Sequence, residues 1–347
     1  MRVNKNSIAL DKFINKALYS SKSGFYMKKN PFGKNGDFIT SPNISILFSE
    51  MLSIWAVAFW QNLKCPKSIN LIDLGGGNGQ MIYDMNCSLK NFPKFYDSCN
   101  FFILEKSPYL KKIQKQKLTK FNIKWIKDLK EVTRGYNIFI ANEFFDALPI
   151  KQFFKIKNKW TERFVILDKN NNKNFLNIPS NIKKLEKKLK FKISKNQTVI
   201  EYSPLALKYL QKISKKINNK KGALLIIDYG YISEKMKDTL MAIKKHNTTN
   251  VLEEVGKADI TYHLNFKVLE KIIKNFKVKC QGITTQRNFL INLGIKERAE
   301  IISKNLSFSK KADIYYRLNR LINEKQMGNL FKVMLITDSK INFKTGF

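Results

Sequence analysis

The residues able to do chemistry in this chain stand at the ends of short apolar runs. The run Asn70-Leu71-Ile72 leads into Asp73-Leu74-Gly75-Gly76-Gly77-Asn78-Gly79, and a helical pattern follows. Glycines at 75, 77 and 79 let the backbone turn sharply and let a ligand approach the main chain. A dinucleotide fingerprint needs a third glycine at position 80, where Gln80 stands, and a phosphate loop needs Gly-Lys-Ser/Thr, which the chain lacks. Glu105 ends the next run, 32 residues beyond Asp73, a wider gap than the roughly 20 of dinucleotide folds. A carboxylate there offers two acceptor oxygens to a sugar diol. Asp128 follows a third run, 122–125, and can accept from an amino group on a base. Acids at strand ends also cap the helices that follow, which is the plainer reading of all three. A fourth run, Ile138-Phe139-Ile140-Ala141, leads into Asn142-Glu143-Phe144-Phe145-Asp146-Ala147-Leu148-Pro149. Glu143 and Asp146 suit a guanidinium gripped in a fork by carboxylates, with Phe144 and Phe145 as walls. The alternative is an acidic cap over core aromatics.

Positioning these groups takes strands whose ends line up. Apolar runs at 69–74, 101–104, 136–141 and 223–227 alternate with helical patterns at 80–89, 108–117 and 204–217. Short, wholly apolar strands separated by helices predict a parallel sheet covered on both faces, a doubly wound α/β fold with ligands at the strands' carboxyl ends. Ahead of it, a helix is expected over about 6–20, then a loop with Gly33 and Gly36, then a helix capped by Ser41 with Pro42 at its first turn and running to about 64. Asp37, Phe38 and Thr40 lie in that loop as a candidate lid. Alternation over 151–167 predicts a hairpin turning at Lys157-Asn158-Lys159, and the Lys/Asn-rich stretch 168–198 reads as a surface insertion. The expected organisation is 1–64, an N-terminal helical extension with the lid; 65–150, the first half of the sheet; 151–198, hairpin and insertion; and 199–347, the second half with helices inserted at about 231–330. His263, one of two histidines, is either structural or a contact in the substrate channel.

Composition bounds the function. Apolar residues make up 44% of 347, enough for a large core, so disorder is excluded. Four scattered cysteines without a CxxC pair, and two histidines, predict neither a disulfide framework nor a metal site, and suit a reducing compartment. The net charge of +37 rests on 57 Lys and only seven Arg. Base reading favours Arg, so this charge points to composition rather than to a nucleic-acid site, although adhesion to polyanions at low salt follows either way. The most apolar stretch, 44–60, is broken by Ser45, Ser49, Glu50 and Ser53 and reads as a buried helix rather than a span.

The pattern of an acid followed by GxGxG resembles motif I of class I methyltransferases that use S-adenosylmethionine. Further strings widen the likeness: Gly24-Phe25-Tyr26-Met27, Gly36-Asp37-Phe38-Ile39-Thr40-Ser41-Pro42, the Asn142–Pro149 string, Ile227-Asp228-Tyr229-Gly230-Tyr231, Asp259-Ile260-Thr261-Tyr262-His263 and Met327-Gly328-Asn329-Leu330-Phe331. Together they resemble the MidA-like methyltransferases over about residues 8–336. The resemblance implies a Rossmann-like class I fold with an N-terminal helical extension. S-adenosylmethionine would be held by Asp73, Gly75, Gly76, Gly77, Gly79 and Glu105, with Asp128 and Asn142 as further contacts. Glu143 and Asp146 take the substrate side. Mitochondrial members of the family assist assembly of respiratory complex I, which implies methylation of an arginine on a core subunit. RNA or small-molecule methylation, and a non-catalytic assembly factor, stay open as alternatives. Gly76-Gly77-Asn78 replaces the family's usual Pro-Gly-Arg. A likeness that starts almost at Met1 predicts a bacterial cytoplasmic protein.

Overall fold

The apolar runs pair into one sheet whose strands are buried on both faces. In the computed structural model, which describes residues 7–28, 31, 33, 36, 40–132, 135–168 and 172–347, its main strands are β1 (Ile69–Leu74), β2 (Cys99–Leu104), β3 (Ile123–Ile126), β4 (Tyr136–Asn142), β5 (Gly222–Tyr231), β6 (Val278–Thr285) and β7 (Phe331–Asp338). Their spatial order is 6-7-5-4-1-2-3. β7 runs antiparallel to both β5 and β6, and every pairing from β5 through β3 is parallel. This is the order 3-2-1-4-5 of a doubly wound sheet, extended by a reversed strand inserted beside β5. The reversal of direction on either side of β1 opens a crevice at the ends of β1 and β4, where the glycine loop and the acidic loop emerge.

Alternation explains the two-sided burial. In β4, Phe139 and Ala141 join one hydrophobic core while Ile138 and Ile140 join the other, and β1 divides Ile72 from Leu71 in the same way. Helices α1 (Leu10–Tyr19), α4 (Pro108–Lys117) and α5 (Pro204–Lys220) cover the first face, and α2 (Ile46–Asn62) and α3 (Gln80–Leu89) the second. α2 is apolar all round because it is enclosed: Phe48, Trp55 and Phe59 are fully buried. Among the described residues no helix is long and apolar enough to cross a membrane.

Several boundaries differ from the sequence reading. The helix expected from Ser41 breaks at Ser45, where φ −153° and ψ 138° stop the first turn; the Ser45 side chain then accepts from Leu47 N at 3.3 Å and recaps the chain as α2. The expected helix at 6–20 begins with a strand, Ser7–Ala9, paired antiparallel with Lys159–Leu167. The hairpin is present as Lys151–Ile156 and Lys159–Leu167, with Lys157 and Asn158 at positive φ in the turn. The stretch 168–198 contributes a further strand, Lys173–Pro179, and a helix, Ile182–Leu189. The region at 231–330 is not wholly helical: it holds β6 and a small sheet of Met241–Lys244, Asn247–Thr249 and Asp259–Thr261. β6 escapes a sequence pattern because a register shift between Cys280 and Gly282 breaks its alternation.

Candidate active site

β1 delivers Asp73 and then the glycine loop. Gly75, Gly77 and Gly79 have φ of +75°, +52° and +79°, the left-handed region that glycine enters freely. Gly75 N donates to Leu104 O at 2.9 Å, fastening the loop to the end of β2. At Gly76 close approach decides the residue: a Cβ would stand 2.8 Å from Ile103 Cγ2 and 3.2 Å from Asp73 Oδ2. Asp73 is buried, and its Oδ2 has no hydrogen-bond partner. Burial, then the charge of Glu105, pushes its carboxyl up to about 8.

Glu105, just past β2, is braced rather than free. Its Oε1 accepts from Ser107 N at 2.7 Å and its Oε2 from Gln114 Nε2 at 3.0 Å. Burial raises it to about 7 against those bonds. Ser107 caps α4 by accepting from Leu110 N, and Ser203 caps α5 from Ala206 N in the same way, so the repeated acid-x-Ser-Pro string marks two equivalent strand-to-helix turns. Gln114, wholly buried, also donates to Gly77 O at 2.8 Å and accepts from Trp125 Nε1 at 2.9 Å. One side chain on α4 therefore ties together the loop, Glu105 and β3. Sequence reasoning missed it, because a lone Gln within a polar helical stretch carries no signal.

β4 ends at Asn142, and Glu143 follows at φ +51°, a strained conformation for a residue with a Cβ. The kink is held by Glu143 N donating to Ile227 O at 2.9 Å. Burial, then the Asp146 charge, raises the Glu143 carboxyl to about 8, opposed by the Asn142 amide at 3.3 Å and by a backbone bond at Ser41. Asp146 is raised to about 6 by burial, opposed first by Thr261 Oγ1, which donates to its Oδ2 at 3.0 Å. The backbone N–H groups of Ala147 and Asp146 also favour ionisation, yet Asp146 Oδ1 makes no hydrogen bond of ordinary geometry. Asp228, inside β5, accepts from Phe145 N at 3.0 Å, Asp146 N at 3.3 Å and Tyr229 N at 2.9 Å, so it shapes the acidic loop from below. Burial and then the charges of Asp146 and Glu143 hold its carboxyl far above the usual range.

A cavity of about 650 Å³ opens at these strand ends, lined by Gly75, Gly77, Glu105, Glu143, Phe144, Asp146 and Tyr229 among others. A second hollow of about 40 Å³ lies under the loop, lined by Thr40, Asp73, Gly76, Asn142 and Glu143. The structure thus gathers most of the expected residues, but not all. Phe144 walls the cavity and packs edge-on against Tyr209 at 5.1 Å, whereas Phe145 is fully buried in the core. Asp128 does not line the cavity: it caps the turn Leu129–Glu131 and pairs with Lys212 at 2.7 Å. His263 stands behind Tyr229, ring to ring at 6.2 Å, outside the lining. Asp37 and Phe38 lie outside the described residues, and Thr40 is buried, accepting from Asn43 Nδ2 at 2.6 Å. Asp228, Asp259 and Thr261 were singled out only as parts of longer strings; Asp228, an acid after the apolar run 223–227, carries a signal of its own, whereas Asp259 and Thr261 flank a single Ile260 and carry none.

Residues 51–284 match the family described as "Putative S-adenosyl-L-methionine-dependent methyltransferase". The chain belongs to this family. The methyltransferase is 32% identical to the mitochondrial protein arginine methyltransferase NDUFAF7 of Xenopus laevis, over 94% of this chain and 80% of that one. It is 28% identical to the human protein of that name, over 93% and 78%. In structure it is similar to a Burkholderia thailandensis protein solved with S-adenosyl-homocysteine bound, with TM-score 0.84, 22% identity and coverage of 98% of this chain and 90% of that one. A native crystal structure of a COG1565 superfamily protein from Burkholderia thailandensis gives TM-score 0.83 at 23% identity over the same shares. The fold is that of class I methyltransferases, and the cofactor of the family is S-adenosylmethionine.

The residues present fit that cofactor. Two buried acceptors without partners, Asp73 Oδ2 and Asn142 Oδ1, line the small hollow under the loop, and they suit an ammonium. Gly76 keeps that hollow clear of side chains. On the other side of the loop, Glu105 lines the large cavity with the acceptors a sugar diol needs.

Proposed function

We propose that this methyltransferase modifies an arginine side chain of a protein. The observation that carries the reading is the pair of carboxylates Glu143, half-buried, and Asp146, buried, facing the same cavity as the glycine loop. Anionic groups in a low-dielectric hollow favour a cation, and two carboxylates match the planar fork of a guanidinium. The names of the relatives, protein arginine methyltransferases, support the same substrate class. The likeness to the MidA-like family makes a respiratory complex I core subunit the acceptor we put forward. The cavity is lined by Glu105, Glu143, Asp146 and Asp259 as well as Lys106, Lys111 and Lys127; the carboxylates about the acidic loop would repel the phosphates of an RNA. The four cysteines are free, which supports a reducing, cytoplasmic setting in our reading, although the named relatives are mitochondrial.

When bound, S-adenosylmethionine supplies an electrophilic methyl group and a sulfur that departs as a neutral thioether. The chain aligns and dries the reaction. Asp73 and Asn142 would hold the amino-acid end, and Glu105 the sugar. Phe144 and Tyr209 exclude water from the cavity wall. Glu143 and Asp146 would hold the guanidinium with one nitrogen toward the methyl. A carboxylate oxygen of this pair would take the proton that the methylated nitrogen loses, Asp146 Oδ1 making no hydrogen bond of ordinary geometry.

The test uses isotopically labelled S-adenosylmethionine and protein from host cells lacking this gene. Label is expected in protein, in methylarginine on hydrolysis; label in the RNA fraction or in no fraction would overturn the reading. Glu143→Gln should keep cofactor affinity and lose transfer by on the order of 100-fold, and unchanged turnover would remove Glu143 from the chemistry.

A further inference from the structure

Most hydroxyls that line the cavity are already spent on the protein. Tyr19 donates to Ala147 O at 3.0 Å, Tyr26 to Asp259 Oδ1 at 2.8 Å, Ser107 to Tyr26 O at 2.7 Å and Thr261 to Asp146 Oδ2 at 3.0 Å. Tyr229 differs. It stands near the end of β5, two residues past Ile227, whose carbonyl holds Glu143 N at 2.9 Å. Its ring is fixed by the fully buried Phe331, the facing residue of β7, with centroids 4.2 Å apart, and lies parallel to His263 at 6.2 Å. Its backbone N donates to Asp228 Oδ1 at 2.9 Å. None of these contacts uses the phenol oxygen, which has no hydrogen-bond partner among the described residues while the side chain lines the cavity. Burial, then the charges of Glu143 and Asp146, push its ionisation far above the usual phenol range, so the hydroxyl stays neutral.

The sheet order puts Tyr229 at the acidic end of the cavity. β5 is the neighbour of β4, from which Glu143 and Asp146 emerge. The cavity carries lysines too, but at its other end: Lys106 follows β2, Lys111 sits on α4 and Lys127 follows β3. β4 and β1 separate β5 from β2, so three strand spacings of about 4.8 Å each lie between. Tyr209, whose hydroxyl also has no hydrogen-bond partner among the described residues, belongs to that other end: burial and then the charges of Asp128 and Glu105 raise it. Arginine brings five N–H donors, and two carboxylates gripping it in forks meet four at most. A donor left over in a dry cavity is costly, so the fifth requires a neutral acceptor beside the carboxylates. We propose that Tyr229 is a specificity-determining residue for the substrate arginine, its phenol oxygen accepting a guanidinium N–H beside Glu143 and Asp146. This rests on the arginine reading above and adds to the carboxylate pair an uncharged acceptor from β5.

The experiment uses the full chain saturated with S-adenosylhomocysteine, titrated calorimetrically with N-acetylarginine methylamide and with its neutral citrulline counterpart. The wild type should prefer the arginine probe. Tyr229→Phe keeps the ring against Phe331 and loses only the acceptor. Its affinity for the arginine probe should fall on the order of fivefold, the scale of one hydrogen bond, with S-adenosylhomocysteine affinity unchanged. Undiminished affinity for the arginine probe overturns the proposal. An S-adenosylhomocysteine affinity that falls by the same factor overturns it as well, because Tyr229 would then serve the cofactor. A wild type indifferent to the two probes defeats the arginine reading itself, an outcome distinct from either.

Discussion

Asp73 carries a carboxyl raised to about 8 by burial, while the same group in an unfolded chain titrates near about 4. The folded protein therefore keeps a proton that the unfolded chain releases, and ligand-free stability falls as pH rises between those values. Asp73→Asn removes that cost. In thermal melts the ligand-free variant should be more stable than the wild type at pH 8 and little different at pH 4. It should also lose the rise in melting temperature that S-adenosylmethionine gives the wild type. A variant still stabilised by cofactor would unseat Asp73 as the ammonium's partner. Glu143 and Asp146, raised to about 8 and about 6, make a second prediction. A cation binds their ionised forms, so affinity for N-acetylarginine methylamide should weaken as pH falls through 8 and further through 6, by up to about tenfold per unit in the steepest part. Proton release on binding, measured by calorimetry in two buffers, checks the sign. A profile flat from pH 6 to 9 would separate these carboxylates from cation binding.

At the scale of elements, the strand-to-helix turns do most of the positioning. The caps of α4 and α5, Ser107 with Pro108 and Ser203 with Pro204, are written in consecutive residues and so are legible in a sequence. The break at Ser45 was not, since Ser41-Pro42 signals a helix start equally well and only the packing of α2 decides where the chain bends. Glu143 at φ +51° was likewise hidden: nothing in a Glu announces a left-handed backbone, which here is held by the bond to Ile227 in the neighbouring strand. Gln114 on α4 offers a test of how far a strut controls the loop. Gln114→Leu loses its bonds to Gly77, Glu105 and Trp125, and each buried polar group left unmatched costs about 1–3 kcal/mol. The variant should unfold at lower denaturant and bind S-adenosylmethionine on the order of tenfold more weakly, a shift of about 1.4 kcal/mol. Unaltered affinity would show that the glycine loop holds its own shape.

For the molecule as a whole, the net charge of +37 and the acidic loop answer different questions. The lysine charge predicts retention on heparin at low salt and release as salt rises. The site's carboxylates are buried, so affinity for S-adenosylmethionine should change little over the same range. Measuring both across one salt series checks this, and a cofactor affinity that collapses with heparin release would tie the basic surface to the site. The consecutive residues of the chain determined the alternation of strands and helices, the glycine loop, the strand-end acids and the family likeness. Those are local features, set by propensity, periodicity and neighbours along the backbone. Only the tertiary structure decided that Asp228 underpins Asp146, 82 residues away, that Tyr26 and Asp259, 233 apart, meet at the cavity that Asp146 lines, and that Asp128, Phe145 and His263 stay out of it. Desolvation and long-range pairing arise from segments distant in the chain, so no window of sequence contains them.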